Sequence, residues 1–325
     1  MLFITNRAFN EGNQTVIDRT VTFDLNNNAP SNSVYFCDRN NTNAYIEIGS
    51  QNFINCIQDA KYDQILLFIH GFNSLPEEKI FPRTELLQSL FNQQQLGSIL
   101  VIPIIWPCDN ELGIVQDYWD DEKSADMSAF SLARALCKFT EWSTLQSKEN
   151  LCLKRINILA HSMGNRVLRE SLKVWNQYDL ARGIPQFFRN IFMTAADISN
   201  DSLQVGNTGE YICRASRNVC IYYASDDWAL RSSKMIDSKG KIVSCRLGHT
   251  GPENINKVPS NVYAFDCDNF NNIYDDPIGH TYFMTKDNTA ITSPGLLFQH
   301  MYSCLQTGRV SELNVTSRLG TLGAT

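Results

Sequence analysis

A serine whose surroundings suit nucleophilic chemistry follows an apolar stretch of the sequence. Residues 155–160 read RINILA, and His-Ser-Met-Gly at 161–164 then leads into a helical pattern. A sharp turn between a strand and a helix exposes its serine hydroxyl for attack on a carbonyl carbon, and it needs small residues two positions before and after the serine. Ala160 and Gly164 meet this need, although alanine stands where glycine is usual. Many serines lie in turns, but the placement between a strand and a helix predicts that Ser162 is a nucleophile.

A second feature suited to acyl transfer follows another apolar run. This run ends at His70, and Gly71 and Phe72 come directly after it. Acyl transfer develops negative charge on the carbonyl oxygen, and fixed backbone N–H groups stabilise that charge. We expect the amides of Phe72 and Met163 to form this oxyanion hole. The plainer alternative is that Gly71 only permits a tight exit from the strand and that His70 packs in the core.

Six segments of the sequence together resemble the α/β-hydrolase superfamily. They are Asn6-Arg7, His70-Gly71-Phe72-Asn73, Trp106-Pro107, the run from Ala160 to Leu168, Asp227-Trp228-Ala229-Leu230 and Gly279-His280-Thr281-Tyr282-Phe283. The resemblance extends over nearly the whole chain and is closer to a little-characterised bacterial branch that carries a domain of unknown function. It implies an eight-stranded, mostly parallel sheet and a hydrolytic triad in the order serine, acid, histidine. It implies no substrate.

Three aspartates compete for the acid of such a triad. The predicted strand 218–224 is followed by Ser225, Asp226 and Asp227, and catalytic groups gather at the carboxyl ends of parallel strands. The resemblance favours Asp227, because the Asp-x-Ala-Leu pattern begins there. Asp226 remains an alternative, since either aspartate could instead cap the following helix. Asp197 ends the preceding predicted strand, where its plainer role is a loop or helix cap.

The chain has five histidines that could act as the base: His70, His161, His249, His280 and His300. His161 adjoins the serine and should point away from it, His249 lies in a turn-rich loop, and His300 lies in a helical stretch. We prefer His280, because it follows the last predicted strand by a loop that could reach back over the sheet. An imidazole there would take the serine proton and later give it to the leaving group, while the carboxylate orients the ring.

The segment 107–125 is expected to be a cap insertion over the site. Tyr118 and Trp119 within it, together with Trp106 before it, could form a wall that binds substrate, or they could simply pack. The acidic run 120–122 could suggest a metal ion, but no paired histidines accompany it, and a solvated helix start is the better interpretation. We expect no metal and no cofactor.

The elements that must hold these residues are alternating strands and helices. Short apolar runs suit parallel strands that helices cover on both faces, and they lie at 64–70, 98–106, 155–160, 190–195, 218–224 and 261–265. Helical patterns lie at 83–94, 124–147, 164–178, 227–237 and 293–307. The first 60 residues differ, because 20–25 and 33–36 have the composition of antiparallel edge strands. We therefore predict one α/β domain over residues 1–325, with right-handed crossovers.

Composition and charge restrict the class of protein. With 43% hydrophobic and 19% charged residues, a chain of 325 residues can bury a core and differs from a disordered protein. A net charge of −6 without a Lys/Arg block argues against nucleic-acid binding. The sequence lacks a signal-peptide pattern and any apolar run near the ~20 residues of a membrane span, so we expect a cytoplasmic protein without a transmembrane segment. The ten cysteines form no Cys-x-x-Cys pair, and we expect mostly reduced, buried thiols.

These features predict a serine hydrolase that cleaves an ester, thioester or related acyl bond of a small molecule through an acyl-enzyme. A serine peptidase or amidase of the same fold is one alternative, and a catalytically silent hydrolase fold that serves as an interaction module is another. The segment 108–125 mixes apolar residues with several carboxylates. Its expected acidic rim predicts a preference for short to medium neutral esters over long-chain lipids, phosphorylated substrates and peptides.

Overall fold

The apolar runs of the sequence become the central strands of one sheet. The computed structural model describes residues 1–10, 18–94, 98–108, 114–145, 154–179, 183–231, 245–286, 293–310 and 317–323. The strands within these residues are β1 (Leu2–Arg7), β2 (Phe9–Asn10), β3 (Arg19–Phe23), β4 (Pro30–Asn41), β5 (Ala44–Glu47), β6 (Gln64–Ile69), β7 (Ile99–Ile105), β8 (Arg155–His161), β9 (Phe188–Thr194), β10 (Ser216–Tyr223), β11 (Val262–Asp266) and β12 (Leu319–Thr321).

The sheet has a parallel part and an antiparallel part. Its order is β12-β11-β10-β9-β8-β6-β7-β1-β4-β5-β3-β2. The neighbours from β12 to β1 pair in parallel, and those from β1 to β2 pair antiparallel. The predicted mostly parallel sheet with antiparallel N-terminal strands is therefore confirmed. With twelve strands in the described residues, the sheet is wider than the eight expected, because the N-terminal strands extend it at one edge.

Helices cover both faces of this sheet, as predicted. They are α1 (Gly49–Asp59), α2 (Phe81–Asn92), α3 (Ile114–Leu145), α4 (Gly164–Val174), α5 (Glu210–Ala215), α6 (Leu247–Thr250), α7 (Asn271–Tyr274) and α8 (Leu296–Thr307), with π-helical segments at Pro76–Ile80 and Trp175–Asp179. The segment 107–125 differs from the expected cap insertion, because its residues from 114 onward are the first turns of α3. Residues 109–113 lie outside the described residues.

Alternating side chains of the central strands build a core on each face. In β6, Ile65, Leu67 and Ile69 pack on one face, whereas Leu66 and Phe68 pack on the other. Full burial of one such side chain stabilises the fold by about 1.5–3 kcal/mol. The hydrophobic effect on both faces therefore fixes the strands whose carboxyl ends carry the candidate site.

A ladder of buried amides crosses the strands near their amino ends. Asn218 Nδ2 donates to Asn190 Oδ1 at 2.9 Å, and Asn190 Nδ2 donates to Asn157 Oδ1 at 2.8 Å. Each asparagine is the third residue of its strand, so the side chains meet in register across β10, β9 and β8. The ladder lies at the opposite end of the strands from Ser162.

The composition of the sequence led us to expect buried thiols and no transmembrane segment. Cys37, Cys213, Cys220 and Cys267 are buried thiols, and burial raises the pKa of Cys213 to about 12. Cys152 lies outside the described residues. No described helix combines the length and apolar character that crossing a membrane requires.

Candidate active site

The turn between β8 and α4 holds Ser162 in a strained conformation. Its φ is +52°, in the left-handed region that non-glycine residues rarely adopt. The backbone N–H of Ser162 donates to the carbonyl oxygen of Thr194 at 3.0 Å, which ties the turn to β9. A Cβ on Gly164 would lie 2.5 Å from the carbonyl oxygen of His70, so only glycine allows α4 to approach β6 this closely. The serine thus lies at a sharp turn from strand to helix, as its neighbours predicted.

A cavity of about 470 Å³ lies beside this turn, within the range of small-molecule sites. Ser162 and His280 both line it, and its apolar wall includes Phe72, Trp228 and Ile278. Trp228 and Ile278 are 60% and 48% exposed, so they lie where the cavity meets solvent.

The structure brings His280 to Asp227. The Nδ1 atom of His280 lies 2.7 Å from Oδ2 of Asp227, whose side chain is fully buried. The other oxygen, Oδ1, accepts the backbone N–H of Leu230 at 3.0 Å and so caps the helical turn that follows. The carboxylate of Asp227 therefore caps this helical turn with one oxygen and contacts the imidazole of His280 with the other.

The loop that carries His280 is fixed by a further aspartate. Asp275 Oδ2 accepts the backbone N–H groups of His280 at 2.8 Å and of Thr281 at 2.6 Å. Asp275 carried no signal in the sequence, because an aspartate in a loop is common and its partners are backbone groups.

The charge around His280 favours its protonated form. Burial disfavours the imidazolium, but the carboxylate of Asp227, followed by those of Asp275 and Asp197, outweighs burial and raises the pKa of His280 above its usual value. A raised pKa makes the ring a stronger base than an isolated imidazole.

The other two aspartates have different partners. Asp226 accepts hydrogen bonds from the side-chain amides of Asn271, at 2.6 Å, and Asn272. Asp197 lies in the cavity wall, where Arg246 Nε is 3.0 Å from Oδ1 and the Tyr118 hydroxyl donates to Oδ2 at 2.8 Å. Of the three candidates, Asp227 is the one in contact with His280.

His70 and Trp106 form a buried pair beneath the site. Their rings stack with centroids 5.1 Å apart, and the indole Nε1 donates to the carbonyl oxygen of His70 at 2.9 Å. Burial lowers the pKa of His70 to about 3. This placement agrees with the plainer interpretation of His70, and it does not support Trp106 as part of a wall that binds substrate, because Trp106 is 1% exposed.

His161 packs against His280 instead of pointing away from the site. Its Nε2 lies 3.2 Å from the carbonyl oxygen of His280, and the two ring centroids are 4.7 Å apart. Burial, followed by repulsion from a charged His280, lowers the pKa of His161 well below its usual value. A neutral His161 thus supports the ring of His280.

The remaining histidines lie elsewhere. His300 is buried, and its Nδ1 is 2.8 Å from the hydroxyl of Tyr222. His249 lies on α6 and is not among the described residues that line the cavity.

The loop after β6 lies directly against Ser162. A Cβ on Gly71 would come within 2.8 Å of Ser162 Cβ. The next residue, Phe72, lines the cavity, and Met163 precedes the first turn of α4. Within the described residues, the backbone N–H groups of Phe72 and Met163 donate no hydrogen bond to protein atoms. Two donors beside the serine are thus available to a ligand.

The aromatic residues expected in the cap have different outcomes. Tyr118 lines the cavity, and its ring contacts that of Phe72 with centroids 5.9 Å apart. Burial raises the pKa of Tyr118 well above its usual range. The side chain of Trp119 lies outside the described residues.

The expected acidic rim is not found among the described side chains of this segment. Asp120 pairs with Lys123, and Glu122 pairs with Arg166. Asp121 is buried and accepts the side-chain amide of an asparagine from the N-terminal region. These carboxylates do not line the cavity, and the described residues include no group of three His, Cys, Asp or Glu side chains that could hold a metal ion.

Two cations line the cavity, and neither was predicted from the sequence. Lys79 and Arg83 stand four residues apart in the continuous helical stretch formed by Pro76–Ile80 and α2. This spacing places two residues on one face of a helix. The sequence did contain a signal for them, because Lys79 and Arg83 are two basic residues at helical spacing shortly after the loop at Phe72.

Comparison with solved structures finds distant similarities. Phospholipase PlaB from Legionella pneumophila, in complex with thio-NAD, shares 14% identity over 63% of this chain and 38% of its own, with a TM-score of 0.26. The product of the gene lin2722 from Listeria innocua shares 11% identity over 80% of this chain and 99% of its own, with a TM-score of 0.35. A lipase-esterase related protein from Clostridium acetobutylicum shares 10% identity over 63% of this chain and 86% of its own, with a TM-score of 0.28.

Likeness at this level does not indicate a shared substrate, and the chain spans well under half of the length of the Legionella phospholipase. No match was found among the curated proteins. The family model described as "Alpha/beta hydrolase of unknown function (DUF900)" matches residues 48–296, which include the serine turn, Asp227 and His280. Because this match covers most of the chain and agrees with the observed fold, the chain belongs to the DUF900 family of α/β hydrolases.

Proposed function

We propose that this protein is a serine hydrolase that cleaves an ester, thioester or related acyl bond of a small molecule. In this proposal Ser162 is the nucleophile, His280 is the general base and Asp227 orients it. The observation that carries the proposal is the 2.7 Å contact between His280 Nδ1 and Asp227 Oδ2, beside a cavity that His280 and Ser162 both line. Family membership supports hydrolase chemistry in general.

The proposed reaction has two halves. The Ser162 oxygen forms a bond to the acyl carbon while its proton passes to Nε2 of His280. The bond from the acyl carbon to the leaving oxygen or sulfur then breaks, and His280 gives its proton to the leaving group. Water next attacks the acyl-enzyme and passes a proton to His280. The acid product departs as the proton returns to the serine oxygen, which restores the enzyme.

The amides of Phe72 and Met163 would stabilise the oxyanion in both halves. Support for this role comes from their position beside Ser162 and from the lack of other hydrogen-bond acceptors for them among the described residues. Removal of one such donor typically costs about 10²–10³ in kcat.

Turnover by wild type and Ser162→Ala tests the proposal. We would measure kcat/KM for a series of para-nitrophenyl esters of increasing acyl length, an acyl thioester, an arylamide and a peptide panel. Wild type should hydrolyse esters or thioesters fastest, and Ser162→Ala should lose several orders of magnitude in turnover. Ser33→Ala, at an exposed serine of β4, is the matched control and should keep full activity.

Two outcomes would contradict the proposal. A higher kcat/KM for peptides or the arylamide would favour the peptidase or amidase alternative. Inactivity of wild type on every substrate would favour the silent interaction module, provided that a cooperative thermal unfolding transition shows that the protein is folded.

A further inference from the structure

We propose that the cavity beside Ser162 binds an anionic group of the substrate, a carboxylate or a phosphate, through Arg83 and Lys79. The inference rests on the proposed hydrolase function and names the substrate class of the same site. It replaces the expectation of neutral substrates, which depended on an acidic rim.

The fold directs both cations to one place. Lys79 lies in the π-helical segment Pro76–Ile80, and Arg83 lies in the first turn of α2, which continues that segment. A spacing of four residues puts them on the same face. Both line the cavity that contains Ser162.

Neither cation has an anionic partner among the described residues. Lys79 Nζ donates to the carbonyl oxygen of Asn73 at 2.7 Å and to its Oδ1 at 3.3 Å, and both acceptors are neutral. Arg83 makes no hydrogen bond or ion pair with the part of the chain that the structure describes. Arg39 and Arg166, which are also half-buried, each contact two carboxylates. The guanidinium of Arg83 therefore keeps its donors for a ligand.

The acids of the cavity are occupied by other groups. Asp197 pairs with Arg246 and accepts the hydroxyl of Tyr118. Asp275 accepts two backbone N–H groups of the His280 loop, although its charge still acts on Arg83 through space. Because Asp197 is paired with Arg246, Asp275 is the acid of these two that still opposes the charges of Lys79 and Arg83, and the excess positive charge suits an added anion.

The electrostatic effects on Lys79 and Arg83 agree with an anion site between them. Burial lowers the pKa of Arg83, and burial followed by repulsion from Arg83 lowers the pKa of Lys79. An oxyanion between the two side chains would relieve this repulsion. A guanidinium binds carboxylate or phosphate oxygens in a bidentate manner, and an ammonium adds a point charge. The substrate would then combine this anionic group with an apolar portion against the wall of Phe72 and Trp228.

Matched pairs of esters test the proposal. The acyl-side pair is para-nitrophenyl butyrate and para-nitrophenyl hemisuccinate. The leaving-group arm compares phenyl acetate with para-acetoxybenzoate and with para-acetoxyphenyl phosphate, which separates carboxylate from phosphate. We expect kcat/KM for the anionic member of at least one pair to be about tenfold higher or more, the size expected of a charged hydrogen bond.

Substitutions assign this preference to the pair. Arg83→Gln and Lys79→Gln should each lower the ratio of anionic to neutral kcat/KM about tenfold or more, and Arg83→Lys should keep part of it. Arg217→Gln, at an exposed position near the amino end of β10, removes the same charge outside the cavity and should leave the ratio unchanged. Thermal unfolding of each variant checks that it is folded.

The outcomes separate this inference from the proposed function. Hydrolysis of neutral esters with equal rates for their anionic partners, unaffected by Arg83→Gln, would overturn the anion site and leave the serine hydrolase intact. If Arg217→Gln reduced the preference for anionic esters as much as Arg83→Gln, the preference would come from the overall charge of the protein. This result would also overturn the site. Absence of turnover on every ester by folded wild type would overturn both.

Discussion

At the scale of single residues, Asp227 shows how adjacent aspartates acquire different tasks. Asp226 and Asp227 are chemically identical neighbours, so chemistry alone could not separate them in the sequence, where Asp197 was a third candidate. In the fold the two side chains have different partners, because Asp227 contacts His280 and Asp226 contacts Asn271.

Substitution of Asp227 by asparagine should abolish most activity. The amide cannot stabilise a charged imidazole, and it would favour the wrong tautomer of His280, so we expect kcat/KM to fall by about two to four orders of magnitude. Steady-state kinetics on the best ester measures this loss. Asp226→Asn is the matched control, with an expected loss of less than about tenfold. An equal or larger loss for Asp226→Asn or Asp197→Asn would contradict the assignment of the acid.

The dependence of activity on pH should report the raised pKa of His280. A protonated imidazole cannot accept the serine proton, so kcat/KM should fall as pH drops through this pKa, with a midpoint above the usual value of about 6.5. Asp227→Asn removes the main group that favours the imidazolium, whereas burial remains. Its residual activity should therefore show a midpoint at lower pH. A profile that is flat between pH 5 and about 8 would argue against a histidine base.

At the scale of elements, burial on both faces made the central strands predictable. The six apolar runs correspond to β6 to β11, with ends that differ by at most two residues. The last strand, β12, has three residues and exposed ends, so it lacks the apolar run that marks a central strand. The start of α3 was missed because the acidic residues at 120–122 resembled a helix start, whereas the helix begins at Ile114.

The amide ladder across three strands should stabilise the sheet without serving the site. Asn190→Leu keeps the branched shape and the number of heavy atoms of the side chain but leaves Asn157 Oδ1 and one donor of Asn218 without their partner. We expect the free energy of unfolding to fall by about 1–3 kcal/mol. Urea unfolding measures this change, and kcat/KM of the folded enzyme should stay the same because the ladder lies far along the strands from Ser162. Asn52→Leu, at an exposed position of α1, should change the free energy by less than about 0.5 kcal/mol.

A loss of activity in folded Asn190→Leu would contradict the separation of stability and chemistry along the strands. If Asn190→Leu and Asn52→Leu had the same free energy of unfolding, the ladder would make no net contribution to stability.

At the scale of the whole molecule, the N-terminal strands and the family domain share one sheet. The family match begins at residue 48, yet β1 pairs in parallel with β7, and Ile4 lies in the same core cluster as Ile104. We therefore propose that residues 1–47 and the rest of the chain form one domain that folds cooperatively.

Truncation of a side chain in β1 should destabilise the whole molecule. Ile4 is 1% exposed, so Ile4→Ala should lower the free energy of unfolding by about 2–5 kcal/mol. Far-UV circular dichroism and tryptophan fluorescence should shift together in a single urea transition. Leu25→Ala, at a side chain that is 43% exposed, serves as the control with little change. Two separate transitions, of which Ile4→Ala moves only one, would contradict a single domain.

Positions of charge in the folded molecule were the least accessible to sequence reasoning. The acidic segment suggested a negative rim, but its described carboxylates pair with Lys123 and Arg166 or are buried. The cations at Lys79 and Arg83 reach the cavity because the helical stretch that carries them begins next to the loop at Phe72. Such a meeting of segments depends on tertiary packing, which neither composition nor periodicity specifies.

The central claim, that Ser162 is a nucleophile activated in this cavity, is tested most directly by a fluorophosphonate probe. The serine oxygen would displace fluoride and form a stable phosphonyl ester, which intact mass and peptide mapping locate. We predict one adduct, on Ser162, in wild type and none in Ser162→Ala, while Ser33→Ala labels like wild type. Undiminished labelling of folded Ser162→Ala, with the adduct on another residue, would contradict the claim.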